Sequence, residues 1–272
     1  MERQFIDVPG GRVAYQVVGD GPRTVVWVHG LPLDSDSWAH QRRHFAPLAQ
    51  NVFPDLRGYG HSDKLPADCT DVTQQYVDDL HALTATLDVE DIVLVGFASA
   101  GHVALRYAAQ HPQRVSDLVV INASPRFRRG PDWPWGFTDE GIAHFTDAAR
   151  DGGIEALTDA VLEPSLVFRD VDAEEAGRLV EWFRPMSLHA GVATLLGFFD
   201  GISRDDDRAL LPLIRARVLV VAATIGQEVP SDVGLYLRTH VPGARLVEIP
   251  GADHFVFATR PALINQLIEQ VL

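Results

Sequence analysis

What most constrains the fold of this chain is the alternation of short apolar runs with amphipathic stretches. Runs over residues 24–28, 51–54, 92–95, 118–121, 218–222 and 245–249 have the length and β-branched content of strands. Two further runs, 5–8 and 12–18, flank a Pro9-Gly10-Gly11 turn at the N-terminus. Between them lie helical patterns over 36–48, 73–87, 100–110, 232–239 and 261–272; the second carries Tyr76, Val77, Leu80, Leu83 and Leu87 on one face. Strand, helix, strand in this order predicts a mostly parallel sheet covered by helices on both faces, an α/β fold. The alternation stops at Pro125. From there to Asp207 the chain is helical in patches, holds Pro131, Pro134, Pro164 and Pro185, and shows no strand-like run. The expected organisation is one α/β core, 1–124 with 208–272, split by a helical cap over 125–207.

Composition narrows the function classes. With 23 Lys and Arg against 37 Asp and Glu, the net charge of −14 argues against nucleic acid, which demands a basic face. No apolar run approaches the 18 residues of a membrane span, and the N-terminus lacks the basic-then-apolar pattern of a signal peptide. The single Cys69 cannot form an intrachain disulfide, and no spaced Cys/His set marks a metal site. The expectation is a cytoplasmic protein with no metal, cofactor or membrane partner, acting on a small organic substrate. Composition does not address its oligomeric state.

In an open parallel sheet, ligands bind beyond the carboxyl ends of the strands. The segments there are His29-Gly30-Leu31, Asp55-Leu56-Arg57-Gly58-Tyr59-Gly60-His61-Ser62-Asp63, Gly96-Phe97-Ala98-Ser99-Ala100-Gly101 and Gly251-Ala252-Asp253-His254-Phe255. In order and spacing, together with Trp38 and the run Val103 to Pro112, they resemble the α/β-hydrolase fold family over nearly the whole chain. That family places its cap where this chain has 125–207. Its usual mechanism is a Ser-His-Asp/Glu triad, with the serine on a strained strand-to-helix turn.

Carried over residue by residue, the resemblance assigns the base to His254 and the oxyanion hole to the backbone N–H groups of Leu31 and Ser99. The nucleophile position falls on Ala98, which has no nucleophilic atom. Only a one-residue slip would bring Ser99 there; Gly96 fits the unslipped register and Gly101 the slipped one. The usual acid position is Gly226, and the alternative after the sixth strand is Asn122. Asn122 and Glu228, the nearest carboxylate, are therefore the candidate partners of His254, while Asp205, Asp206 and Asp207 read as a solvated exit from the cap. His29, Arg126 and Trp133 are candidate substrate contacts. Arg128 and Arg129 share the cap's first turn, and Trp135 and Phe137 are read either at the pocket mouth or in cap packing. His102 is expected to pack or cap, and the run beginning at Asp55 to shape a loop.

Three functions fit these residues. The first is non-hydrolytic proton abstraction by His254, of the kind found in lyases, cyclases and cofactor-free oxygenases on this fold. The second is an ester or lactone hydrolase whose nucleophile has been replaced at Ala98, which loses orders of magnitude in rate. The third is a receptor that binds a small molecule without turnover.

Overall fold

A computed structural model describes residues 2–66, 68–226 and 229–272. Eight strands form one sheet in the order β1-β2-β4-β3-β5-β6-β7-β8. They are β1 Gln4–Val8, β2 Gly11–Val18, β3 Thr24–Val28, β4 Gln50–Pro54, β5 Ile92–Phe97, β6 Val115–Ile121, β7 Arg217–Ala223 and β8 Arg245–Ile249. The β1/β2 and β2/β4 pairs are antiparallel, and every pair from β4 through β8 is parallel. The reason is visible in β5, where all six residues are buried because helices cover both faces.

The helices are α1 Ala39–Phe45, α2 Val72–Thr86, α3 Ser99–Gln110, α4 Asp139–Val161, α5 Pro164–Val167, α6 Ala173–Ala190, α7 Val192–Asp200, α8 Ser231–His240, α9 Val256–Thr259 and α10 Pro261–Glu269. The pattern over 36–48 resolves into two pieces. The Asp34 carboxylate accepts from the Asp36 N–H and starts a 3-10 turn, Ser35–Trp38, ahead of α1. Trp38 then packs on Trp27 of β3, which also meets Phe45 and Phe53, so one aromatic cluster ties α1 to the sheet.

The segment between β6 and the resumed core carries α4 to α7. Its two ends meet, with the Asp207 N–H donating to the Pro125 carbonyl at 2.9 Å. Asp205 and Asp207 are not a solvated exit. Asp207 is buried and takes Arg106 of α3 through Nε and Nη2 at 2.7 and 2.9 Å, and Asp205 lies 3.0 Å from the same guanidinium. His102, one turn earlier on α3, donates or accepts through Nδ1 at the Ser124 carbonyl and places Nε2 3.0 Å from Asp207. Among the described residues no helix is long and apolar enough to cross a membrane.

Candidate active site at the carboxyl edge of the sheet

The turn from β5 into α3 places Ala98 at φ 49° and ψ −116°, a conformation that L residues rarely adopt. Its N–H donates to the Ile121 carbonyl of β6, and its own carbonyl accepts from the His102 N–H. Two close approaches allow the turn. A Cβ on Gly96 would lie 2.6 Å from the Ala100 carbonyl oxygen, and one on Gly101 would lie 2.3 Å from the Ala123 Cβ. Both glycines are therefore needed at once, which sequence registers alone had set against each other. Ser99 is the first helical residue, and the positive φ belongs to Ala98.

Ser99 does more than the sequence indicates. Its Oγ accepts from the Leu31 N–H at 3.0 Å. Of the two backbone N–H groups expected to form the oxyanion hole, that of Leu31 has this hydroxyl as its acceptor, because the α3 N-terminus brings Ser99 against the loop after β3.

His254 follows β8 in a loop fixed on both sides. The Asp253 carboxylate accepts the His254 N–H at 2.9 Å, and the Asn122 side-chain amide donates to the His254 carbonyl at 2.6 Å. The imidazole packs on Phe97 and Phe255, each ring centroid 5.0 Å away. Asn122, at φ 48°, also accepts from the Ala223 N–H at 2.8 Å. Its amide therefore holds the main chain of His254 and links β6, β7 and the loop, a different role from the imidazole partner expected of it. Glu228, the other candidate partner, lies outside the described residues. Gly226 follows β7 and supplies no side chain.

Ala98, Ser99 and His254 line one cavity of about 30 Å³ with Leu31 and Pro32. Its remaining wall is Phe127, Phe137, Phe145, Val161, Phe198 and Phe199, all between β6 and β7, and Phe255. Among the described lining residues only Ser99 and His254 carry polar side chains. Room for one water requires roughly 10–15 Å³, so this volume suits one or two waters and a larger ligand must displace the phenylalanines. Of these aromatics only Phe137 was singled out by sequence. The adjacent Phe198 and Phe199 in the most apolar helix of the insert were the available signal for the rest.

The three candidate substrate contacts are absent from this wall. His29 Nε2 accepts from the Leu56 N–H at 3.0 Å, and its ring packs edge-on against Tyr59. Burial, only partly opposed by Asp55, pushes its pKa down to about 4, which keeps it neutral. It shapes the loop after β4, as does Asp55, whose carboxylate accepts from the Ser35 and His61 N–H groups. Arg126 pairs with Asp132 and Asp206, and Arg128 with Asp139. Trp133 is fully buried, donates to the Arg126 carbonyl, and packs on Trp135 and Tyr236 beneath Arg208. The ion pairs hold the insert together, and Trp133 docks it on α8.

Sequence reasoning missed Arg169 altogether. Lying between α5 and α6, it gives Asp253 three hydrogen bonds, from its backbone N–H, Nε and Nη2 at 2.9, 3.0 and 3.3 Å. Asp253 is fully buried, so the carboxylate that holds the His254 N–H is itself neutralised from the insert.

The sequence profile of the alpha/beta hydrolase fold matches residues 23–261. The pimeloyl acyl-carrier-protein methyl ester esterase of Nitrosomonas europaea is 28% identical over 250 residues, covering 90% of this chain and 94% of that protein. Among solved structures, the bromoperoxidase from Bacillus anthracis superposes with a TM-score of 0.90 at 21% identity, over 99% of both chains. The enol-lactonase from Burkholderia xenovorans gives 0.87 at 23% identity, over 98% of both. With sheet order, elbow turn and histidine loop all in place, this chain belongs to the α/β hydrolase fold family.

Proposed function

We propose that the protein is a small-molecule enzyme in which His254 is a general base for non-hydrolytic chemistry, as in lyases, cyclases and cofactor-free oxygenases. The observation that carries this reading is the elbow itself. Ala98 takes the strained conformation at the head of α3, in the same cavity wall as His254, which supports reading its methyl group as standing in the nucleophile's place. In this reading Ala98 occupies the nucleophile position, 1–124 with 208–272 form the core, and 125–207 is the cap that closes over the substrate. A C–H beside a carbonyl gives its proton to the imidazole, the electron pair moves onto the carbonyl oxygen, and donors at the head of α3 stabilise the resulting enolate. No cofactor enters this scheme.

The test is proton exchange in D₂O, followed by proton NMR, for a panel of neutral aryl and cyclic ketones. General-base catalysis contributes about 10²- to 10⁴-fold. Exchange faster than buffer in the wild-type protein and at background in His254→Ala is the expected result. Exchange that survives the substitution, or no acceleration of any member of the panel, overturns the reading.

An ester or lactone hydrolase is the second reading, favoured by a sequence relative that is a methyl ester esterase and a structural neighbour that is an enol-lactonase. In it the chain has lost its acyl-accepting atom at Ala98, and hydrolysis of nitrophenyl esters returns when serine is placed there.

A further inference from the structure

We propose that the Ser99 hydroxyl, and not the Leu31 amide, is the group that meets the developing negative charge, so that the site selects enolate- or phenolate-type oxygens through a side-chain donor. The proposal rests on the cavity being the reaction site.

An oxyanion-hole donor must stand roughly 2.7–3.1 Å from the oxygen it stabilises. At Leu31 that place is taken, because Ser99 Oγ sits 3.0 Å from its nitrogen. A substrate oxygen cannot share it. A hydroxyl that accepts one hydrogen bond still has its own proton to give, and accepting from an amide polarises that O–H and strengthens what it donates. Ser99 is in the cavity wall beside Ala98 and His254, so a proton on Oγ has the substrate space within reach.

The alternative is for Ser99 to swing aside and release Leu31. On its other side lies a second cavity of about 10 Å³, walled in part by Leu56, Val72, Val103 and Ile202. A hydroxyl turned that way gives up its amide donor for a mostly apolar wall in which Tyr59 and Tyr76 are the polar side chains, the Tyr76 hydroxyl already donating to the Arg57 carbonyl, and this disfavours the movement. Among the described residues the remaining wall of the main cavity is apolar apart from His254. An oxygen that gains charge when His254 removes a proton therefore finds, among the described lining residues and besides the imidazolium formed, the Ser99 hydroxyl as its side-chain donor. The same geometry explains how the Leu31 amide can be taken up without losing the anion trap. It also implies that serine at 98 alone does not recreate a two-amide hole, whereas Ala98→Ser with Ser99→Ala does.

Binding of two probes tests this without any knowledge of the substrate. 4-Nitrophenolate carries the oxyanion, and nitrobenzene is the same ring without it. Dissociation constants are measured for the wild-type protein, Ser99→Ala and Ser99→Thr, with circular dichroism to establish that each is folded. The wild type and Ser99→Thr should prefer the phenolate. Ser99→Ala should weaken phenolate binding by about tenfold or more, as loss of a hydrogen bond to a charged group requires, with nitrobenzene unchanged. In the same variant the Leu31 amide resonance should move and exchange faster, since its acceptor is gone. Phenolate affinity that is unchanged or higher in Ser99→Ala would show the hydroxyl to be a plug, and equal affinity of the wild type for the two probes would show no oxyanion site; either result overturns the proposal. Failure of the base reading is seen separately, in the exchange assay with His254→Ala, and leaves the probe comparison intact.

Discussion

At Ala98 the backbone holds a conformation that costs on the order of 1–3 kcal/mol, and the side chain gains no chemistry from it. What the strain achieves is placement: it starts α3 with Ser99 against the loop after β3 and His102 inside the molecule. His102 is the clearest electrostatic consequence. Burial works against its charge, yet the carboxylates of Asp205 and Asp207 outweigh it and raise the pKa from 6.5 to about 9, beside Arg106 and Asp71. A folded value above the unfolded one stabilises the fold in full below pH 6.5, and that contribution is lost as pH rises through about 9. His102→Gln should therefore be less stable than wild type by an amount that is on the order of 3 kcal/mol larger at pH 6 than at pH 10, read by urea unfolding. A pH-independent difference would contradict this charge state. Individual roles were the least legible in the sequence. Arg126 and Trp133 were reasonable substrate contacts from their position after Pro125, but Arg126 meets Asp206, 80 residues along, and no local pattern encodes that partner.

Elements were far more legible. Strands β3, β5 and β7 show as unbroken apolar runs because both of their faces are covered, and the helices on them show the 3.6-residue stripe. Where the reading failed, a side chain had intervened: Asp34 capping its own turn divided the expected helix over 36–48. The loop after β8 presents the same problem at the candidate site. Asp253 was visible only as a neighbour of His254, while its partner Arg169 comes from between α5 and α6, 84 residues away. That contact makes the segment between β6 and β7 a support for the His254 loop. Arg169→Ala leaves a fully buried carboxylate without its cation, and a loss of about 2–4 kcal/mol is expected after allowing for the partial exposure of Arg169. Hydrogen exchange should quicken at the His254 amide while the amides of β5 keep their protection. Unchanged exchange at His254 would mean that the loop is held without the cap.

At the scale of the molecule, the sheet gathers the loops after β3, β5, β6 and β8 at one edge, and the insert covers them with phenylalanine. The order of strands and motifs made this plan readable from sequence, since each segment had to follow the carboxyl end of a parallel strand. The contents of the pocket were not readable, because Phe127, Phe145 and Phe198 converge through packing of helices whose crossing the sequence does not specify. The proposed account is of an α/β hydrolase fold in which this cavity is the reaction space, with His254 as base, the Ser99 hydroxyl as donor and no attacking serine. Intact-protein mass spectrometry after treatment with an alkyl fluorophosphonate, with a serine esterase treated in parallel to verify the reagent, tests this most directly. The account predicts that the wild-type protein keeps its unmodified mass; a stoichiometric adduct mapped to Ser99 would contradict it.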